Sequence, residues 1–357
     1  MRAWGGTSQK GSLRACGVRT GLVFALCLVS CVLCLGRAYA ADVYYSVGTN
    51  GADLKASATV TISGGNTATF SAAQPEHIGV GDRITYNTSR VAYIAGKTSP
   101  TVYTVVTAVG GAVANGGPWT VNAITRAFNS LNQAANTAAN PNPSSASYLN
   151  TTDLTSGPYT LNIVCYADAN PDATPASISG WTTDAVSRIN IAPSAQPRRR
   201  GRWDASAYRL AVSSGNAITV SDDHVSISGL QIDLSGTARY GILSSSGSDD
   251  LRLSGNIIRY SGANPSDCAG IRISDAGGAG RAGRVWNNII YDFLGVNNAG
   301  IAADFSGSGS QVYLYNNTVV NNTVGIDDVS GDSSMIAKNN LAYGNGDNYG
   351  GAGTFDP

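Results

Sequence analysis

LRLSGNII (251–258), VWNNII (285–290), VYLYNNTVV (312–320) and MIAKNNLAY (335–343) are four versions of one phrase. Each is a short apolar-x-apolar strand that reaches an asparagine, Asn256, Asn288, Asn317 or Asn340, and then resumes. Gly-Ile recurs alongside them as Gly241-Ile242, Gly270-Ile271, Gly300-Ile301 and Gly325-Ile326, at intervals of 29, 30 and 25 residues. Self-similarity at a period of roughly 20–50 residues is the mark of stacked coils. The repeats hold β-branched strands and Gly/Asn/Ser/Asp turns with no helical stretch between them, so each is read as one rung of a parallel β-helix. The rest of the chain agrees: 43 of 357 residues are Gly and only 13% are charged, a composition suited to a turn-rich all-β protein.

Outward from the repeats, the domain reading is a signal peptide over 1–40, an N-terminal strand with a small β subdomain over 41–120, a capping helix over 121–135, a loop over 136–160 and the parallel β-helix over 160–357. Arg2, Lys10, Arg14 and Arg19 precede an apolar run from Leu22 to Leu35, which is followed by Ala38-Tyr39-Ala40. That is the three-part pattern of an exported chain cleaved after Ala40, and the run is short for a membrane span. The alternative is a lipoprotein anchored at Cys31, because Leu28-Val29-Ser30-Cys31 resembles the box before a lipidated cysteine. The expected location is therefore secreted or at the cell surface, with no transmembrane span in the mature chain.

Five of the 23 basic residues and none of the 23 acidic ones lie in 1–40, so the remainder carries 18 against 23, a net charge of −5. Such a field does not draw in nucleic acid. Of six cysteines, Cys165 and Cys268 lie beyond the leader, about 100 residues apart, and are read as small buried hydrophobes. Residues 58–109 alternate polar and apolar between turn residues, as in ATVTI, RITY and TVYTVV, and predict a small antiparallel sheet. Val121, Ile124, Phe128, Leu131 and Ala135 fall at helical spacing and predict an amphipathic helix laid over the exposed end of the stack. At the other end, GGAGTFDP after the coil 335–349 supplies no cap, and the chain is expected to be incomplete at its C-terminus.

The apolar-x-apolar strands, the corner Asn residues and the Gly-Ile openings resemble the right-handed parallel β-helix proteins of the pectate-lyase-like group, over about 160–345. The resemblance implies an Asn ladder formed by Asn256, Asn288, Asn317 and Asn340. It also implies that the strand opened by Gly-Ile, with its flanking loops, is where polysaccharides bind. Side chains alternate across a strand. With the four Ile inward, Leu243, Arg272, Ala302 and Asp327 form an outward row, then Ser245, Ser274 and Asp304, with Asp275 and Asp328 at strand ends. Carboxylates holding Ca²⁺ and an arginine base are the parts that the family's elimination uses, so Arg272, Asp304 and Asp327 are the candidate catalytic residues. Asp304 and Asp327 are the candidate Ca²⁺ ligands, and Ca²⁺ is the one cofactor the pattern admits. The plainer alternative, which the sequence favours, is an Arg/Asp pairing that balances charge along the stack.

Other signals concern binding. Aligning the coils by their ladder Asn places Ser254, Trp286, Tyr315 and Lys338 in one outward column, and aromatics suit sugar faces. The alternative is an aromatic ladder that only stabilises the sheet. Arg198-Arg199-Arg200-Gly201-Arg202-Trp203 is the one basic cluster, and Trp203 is a further candidate for sugar stacking, against a plain solvated loop. Ser221-Asp222-Asp223-His224 holds acid/base residue types but reads as a polar turn entering a strand. The separated motifs of the family's polygalacturonase members are missing around Asp327-Asp328, and only three Lys follow the leader. The combined reading is an exported protein with a glycan-binding or structural role at the cell surface, its partner a polysaccharide or surface glycan. The alternative is a polysaccharide lyase or glycoside hydrolase.

Overall fold

The computed structural model describes residues 40–139, 147–194, 201–245, 248–275, 281–305, 310–329 and 335–351. The leader (1–39), Arg198–Arg200 of the basic cluster and the tail after residue 351 lie outside the described residues. Among the described residues no helix is long and apolar enough to cross a membrane.

Alternation decides how the coils close. Each full coil contributes three short strands, such as Leu251–Ser254, Ile257–Tyr260 and Ala269–Asp275, and the next repeats them as Ala282–Trp286, Ile289–Tyr291 and Ala299–Phe305. Equivalent strands pair in parallel from coil to coil and build sheets of eight, six and seven strands. The first sheet opens with Ala41–Val47, paired with Tyr159–Cys165. Parallel sheets are usually covered on both faces and read as unbroken apolar runs. Here one face of each sheet points inward and the other meets water, so inward Leu253, Val285 and Leu314 alternate with polar or aromatic neighbours. The Gly-Ile row stacks in register as Ile242, Ile271, Ile301 and Ile326, all fully buried. Each such side chain contributes about 1.5–3 kcal/mol on burial. The glycine before each Ile is required by space: a Cβ on Gly270 would lie 2.4 Å from Ile290 Cγ2 and 2.8 Å from the Gly300 carbonyl oxygen.

In four successive coils the corner between the first and second sheets is two residues long, at Gly255-Asn256, Asn287-Asn288, Asn316-Asn317 and Asn339-Asn340. The two positions divide the work. The first adopts the left-handed region, with φ of 63°, 56°, 53° and 55°, which Gly and Asn tolerate best. The second turns its amide into the stack. Asn288 accepts at Oδ1 from the backbone N–H and Nδ2 of Asn256, both at 3.0 Å. Its own Nδ2 donates to the Leu253 carbonyl and to Asn317 Oδ1, each at 3.0 Å. Asn317 repeats the pattern onto Asn340. The left-handed conformation thus belongs to the residue before each ladder Asn, and the ladder Asn itself supplies only the amide. A second ladder follows the second sheet: Asn322 donates from N and Nδ2 to Asn345 Oδ1, both at 2.9 Å.

The N-terminal part differs from the sequence reading. Thr59–Ser63, Thr67–Phe70, Arg83–Tyr86, Arg90–Ser99, Val102–Val106 and Gly116–Thr125 close into a six-stranded antiparallel barrel. The last strand joins the first and third of these, so Val121 and Ile124 fill the barrel core and are not helical. Closure of a barrel edge outweighed the helical spacing, and β-branched Thr120, Val121, Ile124 and Thr125 favour the strand. Only Leu131–Ala135 is helical, N-capped by Ser130, whose Oγ accepts from Gln133 N at 3.2 Å. The apolar interior continues past Tyr45 into Phe128, Tyr148 and the barrel's Tyr93, with ring centroids 5.2–5.9 Å from Tyr45. Aromatic packing and the barrel therefore meet the first strand of the stack, where a long helix was expected.

One buried cation fastens barrel to coils. Arg126 Nη1 donates to both oxygens of Asp82 at 2.8 and 2.9 Å, Nη2 donates to Asp168 at 3.1 Å, and the guanidinium lies 3.8 Å from the Tyr166 ring centroid. Its side chain is only 1% exposed. Cys165 and Cys268 are both buried and unpaired with each other. Burial pushes the thiols of both up.

Two sets of substitutions test this account by urea unfolding. Asn317→Ala strands buried partners in two coils and is expected to cost about 2–3 kcal/mol, whereas Asn316→Gly, at a left-handed position, is expected to be nearly neutral. Arg126→Leu leaves Asp82 and Asp168 without their cation and is expected to cost about 3–5 kcal/mol, with earlier proteolytic cleavage between barrel and coils.

Candidate functional site

Each of the three sheets presents an outward face, and the candidate residues divide among them. On the third sheet, Leu243, Arg272, Ala302 and Asp327 occupy successive register positions of one outward column, with Ser274 beside Asp304 in the next. Arg272 Nη2 donates to Asp304 Oδ2 at 2.6 Å, and the guanidinium lies 5.6 Å from the Tyr240 ring centroid. Asp327 is half-buried. Burial, then the neighbouring charge of Asp328, pushes its carboxyl above the ordinary carboxylate value, with Arg272 opposing. Asp328 stands in register with inward Ala303 and is 2% exposed, so it belongs to the interior and not to an exposed strand end.

This geometry weighs against an elimination site. Arg272 Nη2, one of the nitrogens a base would present, is engaged by Asp304. Asp304 and Asp327 lie on a diagonal of neighbouring strands, and among the described residues no group of three or more Asp, Glu, His or Cys side chains converges as a cation site. A Ca²⁺ ion takes six to eight oxygens, and two carboxylates, one already bound to arginine, are a poor match. Ala269, Ala299 and Ala302 pack together beside Tyr240 and Val324.

The first sheet carries a different surface. Trp286 and Tyr315 are neighbours in the column Ser228, Ser254, Trp286, Tyr315 and Lys338. Two residues earlier along each strand runs a second outward column, Ser226, Arg252, Arg284, Tyr313 and Ile336. None of these ten side chains is acidic or buried. Tyr313 and Tyr315 have ring centroids 6.1 Å apart. Below this patch Asp250, held at φ 50° in the turn before Leu251, gathers three arginines. It accepts from Arg252 Nε at 2.9 Å and Nη2 at 2.7 Å, from Arg188 Nη2 at 3.0 Å and from Arg284 Nη1 at 2.5 Å. Burial alone would raise its carboxyl, but the hydrogen bonds and charges of Arg252 and Arg188 bring it down to about 2.

Trp203 lies elsewhere. It covers Arg259 on the outward face of the second sheet, with the guanidinium 3.8 Å from the ring centroid. The adjoining Asp204 backbone is held by the Gln231 side chain at 2.6 and 2.7 Å. Trp203 therefore does not join Trp286 and Tyr315, because its ring serves the packing of a segment folded onto the stack. The 221–224 turn is also structural. Asp222 accepts from the backbone N–H groups of Gly180 and Trp181 at 3.0 and 3.1 Å, and His224 has φ 54° with Nδ1 3.6 Å from Asp250.

Sequence reasoning missed Arg252, Arg284 and their organiser Asp250. The signal was present, since the alignment that placed Trp286 and Tyr315 two residues before the ladder Asn places Arg252, Arg284 and Tyr313 four before it. No protein-family model, curated protein or solved structure matches the chain.

The two surfaces differ in titration. Asp250 is lowered, so its arginine contacts contribute stability above the ordinary carboxylate value of about 3.9, and that contribution is lost as pH falls through about 2. Carboxyl NMR is expected to show Asp250 titrating near 2, with Asp327 titrating above the ordinary range.

Proposed function

We propose that this chain is an exported β-solenoid, akin to the right-handed pectate-lyase-like β-helices, that binds glycan at the cell surface or outside the cell with the outward face of its first sheet. The observation that carries the reading is the pair of adjacent columns bearing Trp286, Tyr313 and Tyr315 among polar and basic neighbours. Aromatic rings at this degree of exposure offer apolar faces to the C–H surface of a sugar, while serine, arginine and lysine nearby supply hydrogen bonds to its hydroxyls. The strands are spaced about 4.8 Å apart, comparable to one pyranose residue, so successive sugars running along the stack meet successive coils. Parallel strands tied on both sides hold these side chains with little conformational entropy left to lose on binding.

A second reading rests on one observation. The raised carboxyl of Asp327 suits a general acid, and with Asp304 a strand away it supports a glycoside hydrolase or lyase on the third sheet. The pairing of Arg272 with Asp304 weighs against it.

Glycan-array binding with three variants separates the readings. Trp286→Ala is expected to weaken binding roughly tenfold without moving the unfolding midpoint, while Arg272→Gln and Asp327→Asn leave binding unchanged. Unsaturated products or new reducing ends on the bound glycan, abolished by Asp327→Asn, would transfer the function to the third sheet.

A further inference from the structure

We infer that the glycan of the first-sheet face is acidic, bearing carboxylate or sulfate groups, and that Arg252 and Arg284 form its anion subsite. This rests on the glycan-binding reading above and adds the ligand class. The ten side chains of the two columns include three cations, Arg252, Arg284 and Lys338, and no acid, although the chain from Ala41 onward carries a net charge of −5. A local excess of positive charge on a negative body marks a surface for an anion that engages it at close range.

The arrangement of the arginines makes the subsite specific. Arg252 and Arg284 are paired residues of neighbouring strands, and their side chains remain 39% and 45% exposed. Asp250 fixes both. It takes Nε and Nη2 of Arg252 but only Nη1 of Arg284. Among the described residues, Arg284 Nε and Nη2, the bidentate edge of its guanidinium, and Arg252 Nη1 have no protein acceptor. Planar forks of this kind match the oxygens of carboxylate and sulfate. With Arg188 also bound, Asp250 neutralises one of three guanidinium charges, and the excess falls beside Trp286 and Tyr313. The nearby carboxylates of Asp249 and Asp223 face the turn, where they accept from the backbone N–H groups of Asp250, Ala282 and Asp249. A sugar seated on Trp286 thus places an acidic substituent within reach of both forks.

Affinity electrophoresis of the purified protein in alginate, in chondroitin sulfate and in their carboxyl-reduced counterparts tests the assignment, with duplex DNA as a further polyanion. Carboxyl-reduced alginate is the neutral comparison. The expected result is that alginate is bound roughly tenfold more tightly than its reduced form, with a preference that weakens as salt rises. The double variant R252Q/R284Q is expected to abolish that preference, while R272Q leaves it intact. Should the double variant unfold, R284Q alone carries the test, because Arg284 is exposed and bound only to Asp250.

Equal binding of alginate and its reduced form, with R252Q/R284Q or R284Q without effect, overturns the acidic assignment but leaves glycan binding standing. Absence of binding to every polysaccharide overturns both. Duplex DNA retained as strongly as the acidic polysaccharides, and lost equally in the arginine variants, overturns the polysaccharide as ligand.

Discussion

From Asn256 onward each coil places its corner amide against that of the next, because the backbone hydrogen bonds of a parallel stack run between coils and not within them. A corner interrupts those ladders, and a buried peptide group left without a partner costs about 1–3 kcal/mol. The paired corner solves this at each level. Its first residue turns the chain with a left-handed φ, and its second supplies an amide that substitutes for the missing ladder contact. Because Asn256, Asn288, Asn317 and Asn340 hand the bond on in one direction, the register of each coil is fixed by its neighbour. From that register the inward Ile column and the outward columns follow.

The parts of the fold that this constraint touches were legible, and those it does not touch were not. Asn288 and Gly270 stand out in the amino-acid sequence because only one residue type meets the local demand, an amide in one case and the lack of a Cβ in the other. Val121 and Ile124 had no such demand to announce them. Their spacing suits a helix equally well, and the edge they close belongs to strands some 30 to 65 residues earlier. The Asn322 ladder is not announced in the same way, because Asn321-Asn322 lies after the repeated phrase VYLYNNTVV (312–320) and outside its alignment.

The candidate site followed the same division. Alternation placed Arg272, Asp327, Trp286 and Tyr315 on outward faces, since periodicity alone decides which way a strand side chain points. It did not reveal what each group would find there. Arg272 meets Asp304 because two columns converge, Trp203 meets Arg259 because a distant segment folds back, and Asp250 becomes the hub of three arginines drawn from three coils. Apart from Arg252 with Asp250, such partnerships join residues about 30 to 60 positions apart and depend on side-chain reach, which a one-dimensional pattern does not carry.

The two-residue corner also sets where the chain can change length. Between the first and second sheets the connection is two residues in four successive coils, while between the second and third it is eight, seven, three and three. An inserted residue at the short corner would shift the left-handed position away from its Gly or Asn and displace the amide from its ladder. The same insertion before the third sheet only lengthens a loop. Over these four coils the solenoid therefore has a rigid seam and a permissive margin; the long connection between Pro193 and Arg209 falls at the same corner in an earlier coil, before the Asn ladder begins. New loops can arise beside the third sheet over generations while the first sheet, with its arginines and aromatics, keeps its spacing unaltered.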